Sequence, residues 1–124
     1  MAFWSKKKAI EILIKSLKSD NVSFKENDNV ISFEYQINDS ILYPYLKFNE
    51  ETDDASIVIN IKKQVLKGYE KINEFNINSR YFKAAVKDDL VYLSYAFTAD
   101  DNIRDELNKI LGSLNPLIDI IENF

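Results

Sequence analysis

The chain contains no cysteine and no histidine. Without cysteine it has no disulfide framework, no thiolate metal ligand and no thiol nucleophile. Without histidine it lacks the usual imidazole ligand of zinc and the commonest general base near neutral pH. Glycine and proline number only two each, which argues against a low-complexity disordered chain. No run approaches the ~20 apolar residues that span a bilayer. Lys6-Lys7-Lys8 could open a leader, but Glu11 and Lys15 interrupt the run that follows, and it has no small-residue cleavage site. A cytoplasmic protein is therefore expected. Glycine-rich phosphate loops, the G-x-S-x-G elbow and the dinucleotide fingerprint are all missing too.

What is present suits one folded domain. At 124 residues and 46% hydrophobic content, the chain can bury about two-thirds of its unfolded surface without staples. Its charge is uneven. Residues 1–25 carry six lysines against Glu11 and Asp20, whereas the remainder is acidic and the whole chain has a net charge of −4. The lysines are read as the solvated face of a first helix rather than as a steering device.

Hydrophobic periodicity divides the chain into elements. Phe3, Ile10, Leu13, Ile14 and Leu17 share one helical stripe that ends at Lys18-Ser19-Asp20-Asn21, and Trp4 is expected at an edge of the core. Val22–Phe24 reads as a short strand ended by Glu26-Asn27-Asp28-Asn29. Ile31, Phe33, Tyr35 and Ile37 alternate with polar residues as one strand. Leu42, Leu46 and Phe48 alternate as another, which Pro44 marks as an edge strand or a bulge. Ile57, Ile59 and Ile61 give a fourth. A helical period follows from Val65 to Asn76, its first turn weakened by Gly68. Phe82–Val86 and Val91–Phe97 then form a hairpin about Asp88-Asp89. From Ile103 to Ile121 an apolar stripe, widened by Leu111, Ile118 and Phe124, indicates a last helix interrupted at Pro116, with cap candidates in Thr98–Asp101. The expected fold is α+β and two-layered, with a mainly antiparallel sheet in the order helix, four strands, helix, two strands, helix.

Ile72-Asn73-Glu74-Phe75-Asn76 leading into Ser79-Arg80-Tyr81-Phe82-Lys83-Ala84 resembles the signature of the YbjN-like family of bacterial proteins. There, a central helix ends in asparagines just before a strand, a turn and a second strand. The resemblance implies the fold shared with type III secretion chaperones, which are cytoplasmic homodimers that hold an extended segment of a partner. It implies no catalytic residue. Asn73, Phe75 and Asn76 carry the signature, and the asparagine amides are expected to satisfy backbone groups where the helix stops.

The remaining chemistry is sparse. Asp53/Asp54, Asp88/Asp89 and Asp100/Asp101 are carboxylate pairs of the kind a hydrolase uses, and Glu50–Asp54 offers oxygen ligands for calcium. All fall in expected turns or a cap, where solvated acids are the plainer reading. Tyr43, Tyr45, Tyr81 and Tyr92 could imitate a base-stacking platform, but only Lys47, Arg80 and Lys83 accompany them, so no nucleic-acid partner is expected. The expectation is a non-catalytic protein-binding module without cofactor or metal, chaperone- or adaptor-like and homodimeric. Tyr43 and Tyr45 on a strand, with Leu111, Ile118 and Phe124 on the last helix, would form its contact surfaces. A small carboxylate-using enzyme or ligand binder, or a phage-encoded accessory or immunity-type protein, is the alternative.

Overall fold

Ala9, Leu13 and Leu17 recur every fourth residue and are fully buried, and they set the inward face of α1 (Ala2–Ser19). Asn21 ends that helix at a φ of 56°, in the left-handed position usually filled by glycine, and the Val22 N–H closes on the Leu17 carbonyl at 3.0 Å. The computed structural model describes residues 2–64 and 69–124, with the backbone alone at 2–5 and 62–64. Gly68, the side chains of Phe3 and Trp4, and the start of the second helical period at Val65 lie outside the described residues.

After α1 come β1 (Phe24–Asn27), β2 (Val30–Phe33), β3 (Tyr35–Ile37), β4 (Ser40–Leu42), β5 (Tyr45–Phe48) and β6 (Asp54–Gln64). They are followed by α2 (Glu70–Asn78), β7 (Lys83–Lys87), β8 (Leu90–Thr98) and α3 (Ile103–Gly112), then a 3₁₀ turn (Asn115–Leu117) and α4 (Ile118–Glu122). Six strands form one sheet in the order β1-β2-β5-β6-β8-β7, with every pairing antiparallel, and β3 and β4 form a separate ribbon. One sheet face shares a single hydrophobic cluster with the helices, led by Phe33, Phe48, Ile57, Leu93, Phe75 and Leu107. The fold is α+β, as the sequence indicated.

The element count differs from the expected one. Among the described residues six strands precede α2 instead of four, because each of two expected strands divides. Ile31–Ile37 breaks at Glu34, and Leu42–Phe48 breaks at Tyr43-Pro44. The breaks face each other. The Phe33 N–H donates to the Pro44 carbonyl at 3.1 Å, and beyond that point the two strands continue as the β3–β4 ribbon. Pro44 is thus not on an edge strand, since β5 lies between β2 and β6; it sits where no ladder donor is needed. β1 also runs further than expected, through Glu26 and Asn27, which leaves Asp28-Asn29 as the turn.

Pro116 interrupts the last helix as anticipated, with α3 ending before it and α4 starting after it. The helix cap is Asn102 rather than a residue of Thr98–Asp101, although Asp100 Oδ1 accepts from the Asn102 N–H at 2.9 Å. The apolar stripe is covered by the chain's own core. Leu111 and Phe124 are 1% and 6% exposed, and Ile118 is half-buried against the cluster. The Phe124 ring meets Phe75 edge-on at 5.7 Å, which fastens α4 to α2. Leu111 and Phe124 therefore cannot serve as an exposed contact surface; the width of the stripe reflects burial on more than one side.

Candidate functional site: the β1 edge

A sheet that is not closed has two edges, and here they are treated differently. At the β7 edge, the Asn76 side chain lies against the backbone of Ala84. Its Oδ1 accepts from the Ala84 N–H at 2.6 Å, and its Nδ2 donates to the Ala84 carbonyl at 3.1 Å. The amide imitates a further strand at that residue. Lys83 adds a bond from its ammonium to the Asn76 carbonyl at 3.0 Å, so the end of α2 and the edge of β7 are tied together. Of the signature residues, Phe75 is wholly buried and Asn76 has the expected backbone-satisfying role. Asn73 does not: it is exposed, and its side chain makes no hydrogen bond among the described residues.

Among the described residues, the β1 edge has no such cover. The Glu34 N–H donates to the Ser23 carbonyl at 3.2 Å, while the Phe33 N–H turns the other way, to Pro44. This fixes the alternation: Ser23, Lys25 and Asn27 direct their backbone groups to β2, whereas Phe24 and Glu26 direct theirs outward. Lys25, Glu26 and Asn27 are all exposed.

Two hollows flank this edge. On the helix side, a groove of about 660 Å³ runs between α1 and β1, with half-buried Ile10 and Ile14 in its wall and Glu11, Glu26 and Glu50 among its polar residues. Lys6, 7% exposed, anchors its end by donating to the carbonyls of Asn49 and Glu50 at 2.6 and 2.9 Å. On the other side, about 270 Å³ is lined by Phe24, Lys25, Ser32 and Tyr43. Tyr43 is 62% exposed just past β4, and Ile41 is 51% exposed on the ribbon.

The remaining expected residues are dispersed. Tyr45 is half-buried on the sheet face away from the helices, in a row with Ser32, Val58 and Ser94. Tyr92 shares that face between Asn60 and Ala85, but Tyr81 packs edge-on against Tyr95 at 5.4 Å, so the four tyrosines form no single platform. Asp88 and Asp89 form a turn, and Asp101 pairs with Lys8 at 3.2 Å. Among the described residues no group of three or more acids is placed to hold a metal ion. No described helix is long and apolar enough to cross a membrane. Ile10, Ile14, Phe24 and Glu26 read in the sequence as parts of a helix, a strand and a turn and not as site residues, because only strand order reveals which strand is last. The sheet has an α+β setting and, among the described residues, two unequal edges: β7 is covered at Ala84 and β1 is not. No family model and no curated protein matches the chain.

Proposed function

We propose that this chain is a protein-binding module that receives an extended segment of another protein along β1 by β-augmentation. The observation that carries the reading is the outward-facing backbone of Phe24 and Glu26 beside the α1–β1 groove. An added strand gains main-chain hydrogen bonds at those two residues. Its alternate side chains fall on the helix side, level with Glu26 and over Ile10 and Ile14. Apolar residues there, with a lysine or arginine near Glu26 and Glu11, are the complementary chemistry. An adaptor- or chaperone-like role follows, as does the mode of holding a partner that the YbjN-like resemblance implies. Tyr43 contributes from the ribbon side, and Tyr45 does not face the groove.

A second copy of the chain suits this edge less well. Self-pairing centred on the two middle residues of β1 sets either Lys25 or Glu26 against its own counterpart, and like charges directly opposite are destabilising. The test is selection of extended peptides from a random display library on the immobilised protein, repeated with Glu26→Pro. Proline at this position removes only the outward N–H, so the fold persists. Selected peptides should alternate apolar and polar residues with a basic one, slow hydrogen exchange at the Phe24 and Glu26 amides, and lose binding to Glu26→Pro. Peptides that bind Glu26→Pro unchanged would overturn the reading. Light scattering that shows a dimer which Glu26→Pro converts to a monomer would assign the edge to a second copy instead.

A further inference from the structure

At the other end of the sheet order, β8 runs beyond the end of β7, and Tyr95 in that extension shares a cavity with residues of α3. A cavity of about 290 Å³ opens there, lined by Tyr81, Tyr95, Glu106, Lys109 and Ile110. That volume lies just below the roughly 300–1,000 Å³ range of pockets for drug-sized ligands, so it suits a single side chain or a small molecule of that size. Tyr81 and Tyr95 meet at 73° with centroids 5.4 Å apart and form an aromatic corner. Tyr95 is held from behind by Phe97, whose ring stacks on it at 7° and 6.3 Å. Arg80 lies 5.3 Å from the centre of the Tyr81 ring, so that ring already accepts one cation.

Opposite the corner, Glu106 is half-buried, and no hydrogen bond or ion pair holds its carboxylate among the described residues. Burial pushes this carboxyl above its ordinary value. Asp100 adds to that effect and Lys109 opposes it. A carboxylate so placed is under-compensated, and a neighbouring positive charge would relieve it. Lys109 is exposed one helical turn further on and does so only in part.

We propose that this cavity binds an organic cation, an alkylammonium or guanidinium group, with its charge against Glu106 and its apolar surround against Tyr81, Tyr95 and Ile110. The reading is independent of the β1 edge, which lies at the far end of the strand order. A free small molecule and a basic side chain of a partner share this chemistry.

The experiment is NMR titration with choline and, separately, with a short peptide bearing one trimethyllysine. The neutral isostere 3,3-dimethylbutan-1-ol serves as control. Saturable shifts are expected at Tyr81, Tyr95, Glu106 and Ile110 with choline and not with the alcohol. Tighter binding of the peptide would identify a partner side chain as the source, and tighter binding of choline a free ligand. Glu106→Gln should weaken binding about tenfold, equivalent to about 1.4 kcal/mol. Lys109→Ala, an exposed change that leaves the fold intact, should strengthen it severalfold by removing a like charge. Equal binding of the alcohol, shifts confined to other residues, or a Lys109→Ala variant that binds more weakly would each overturn the proposal.

Discussion

Asn76 and Ala84 are joined by two hydrogen bonds, in which one side-chain amide takes both outward backbone groups of an edge-strand residue. They lie eight positions apart in the chain, and the contact turns the end of α2 into a lid on β7. Removing the amide leaves a partly buried N–H and carbonyl without partners. Asn76→Leu should therefore lower stability by about 1–3 kcal/mol, read as a fall in urea midpoint. Asn73→Ala, at an exposed position in the same signature, should stay within about 0.5 kcal/mol of the parent. Equal effects of the two changes would refute the assignment.

Asp88 and Asp89 both have positive φ, at 54° and 63°, in the two-residue turn closed by Lys87 and Leu90. Such turns favour glycine at the second position. Asp89→Gly should raise stability by about 1 kcal/mol, or about 4 °C in Tm at this chain length. Asp89→Ala, which keeps the Cβ and loses the local hydrogen-bonding carboxylate, should do the opposite. Calorimetry of the three proteins distinguishes these outcomes.

Glu106 gives a signed pH dependence. Burial, reinforced by Asp100 and opposed by Lys109, raises its folded-state pKa above the ordinary value of 4.5. A raised acid contributes stability that is complete below the unfolded pKa and is lost as pH rises through the folded one. Glu106→Gln keeps a neutral group throughout. The variant should therefore gain on the parent between about pH 4 and pH 7, measured by urea melts at both ends. A gap that does not change with pH would count against the shift.

Leu111 and Phe124 are core residues, and their truncation should show it. Leu111→Ala is expected to cost about 2–5 kcal/mol and Phe124→Ala about 3–5 kcal/mol, with no change in molecular mass by light scattering. Near-parental melting of either variant would return these residues to the surface.

Much of the fold was legible because alternation and helical spacing mark buried faces directly. Ile57 and Ile59, and Leu13 with Leu17, occupy the core positions that their spacing indicates. The break at Glu34 was not legible, since Tyr35 and Ile37 keep the same alternation on either side of it and a period of two is blind to a bend. Pro44 announced an irregularity, but it could not say that β5 would lie inside the sheet. The stripe of the last helices gave its width and not its covering. Phe124 is buried by Phe75, 49 residues earlier in the chain, and no local pattern encodes that contact. The candidate site was the least legible part. The four residues of β1 read as little more than a strand end and a turn until the sheet order made them a margin.

The unequal edges have a stoichiometric consequence. A sheet whose two margins both accept strands is a bifunctional monomer and can grow without limit. If β1 receives a strand as proposed, the cover that Asn76 gives Ala84 at the other margin makes the domain a monofunctional unit: it takes one strand, and the assembly ends there. Removal of the Asn76 amide would therefore do more than loosen a helix end. It would supply the second functional margin that converts a chain terminator into a link.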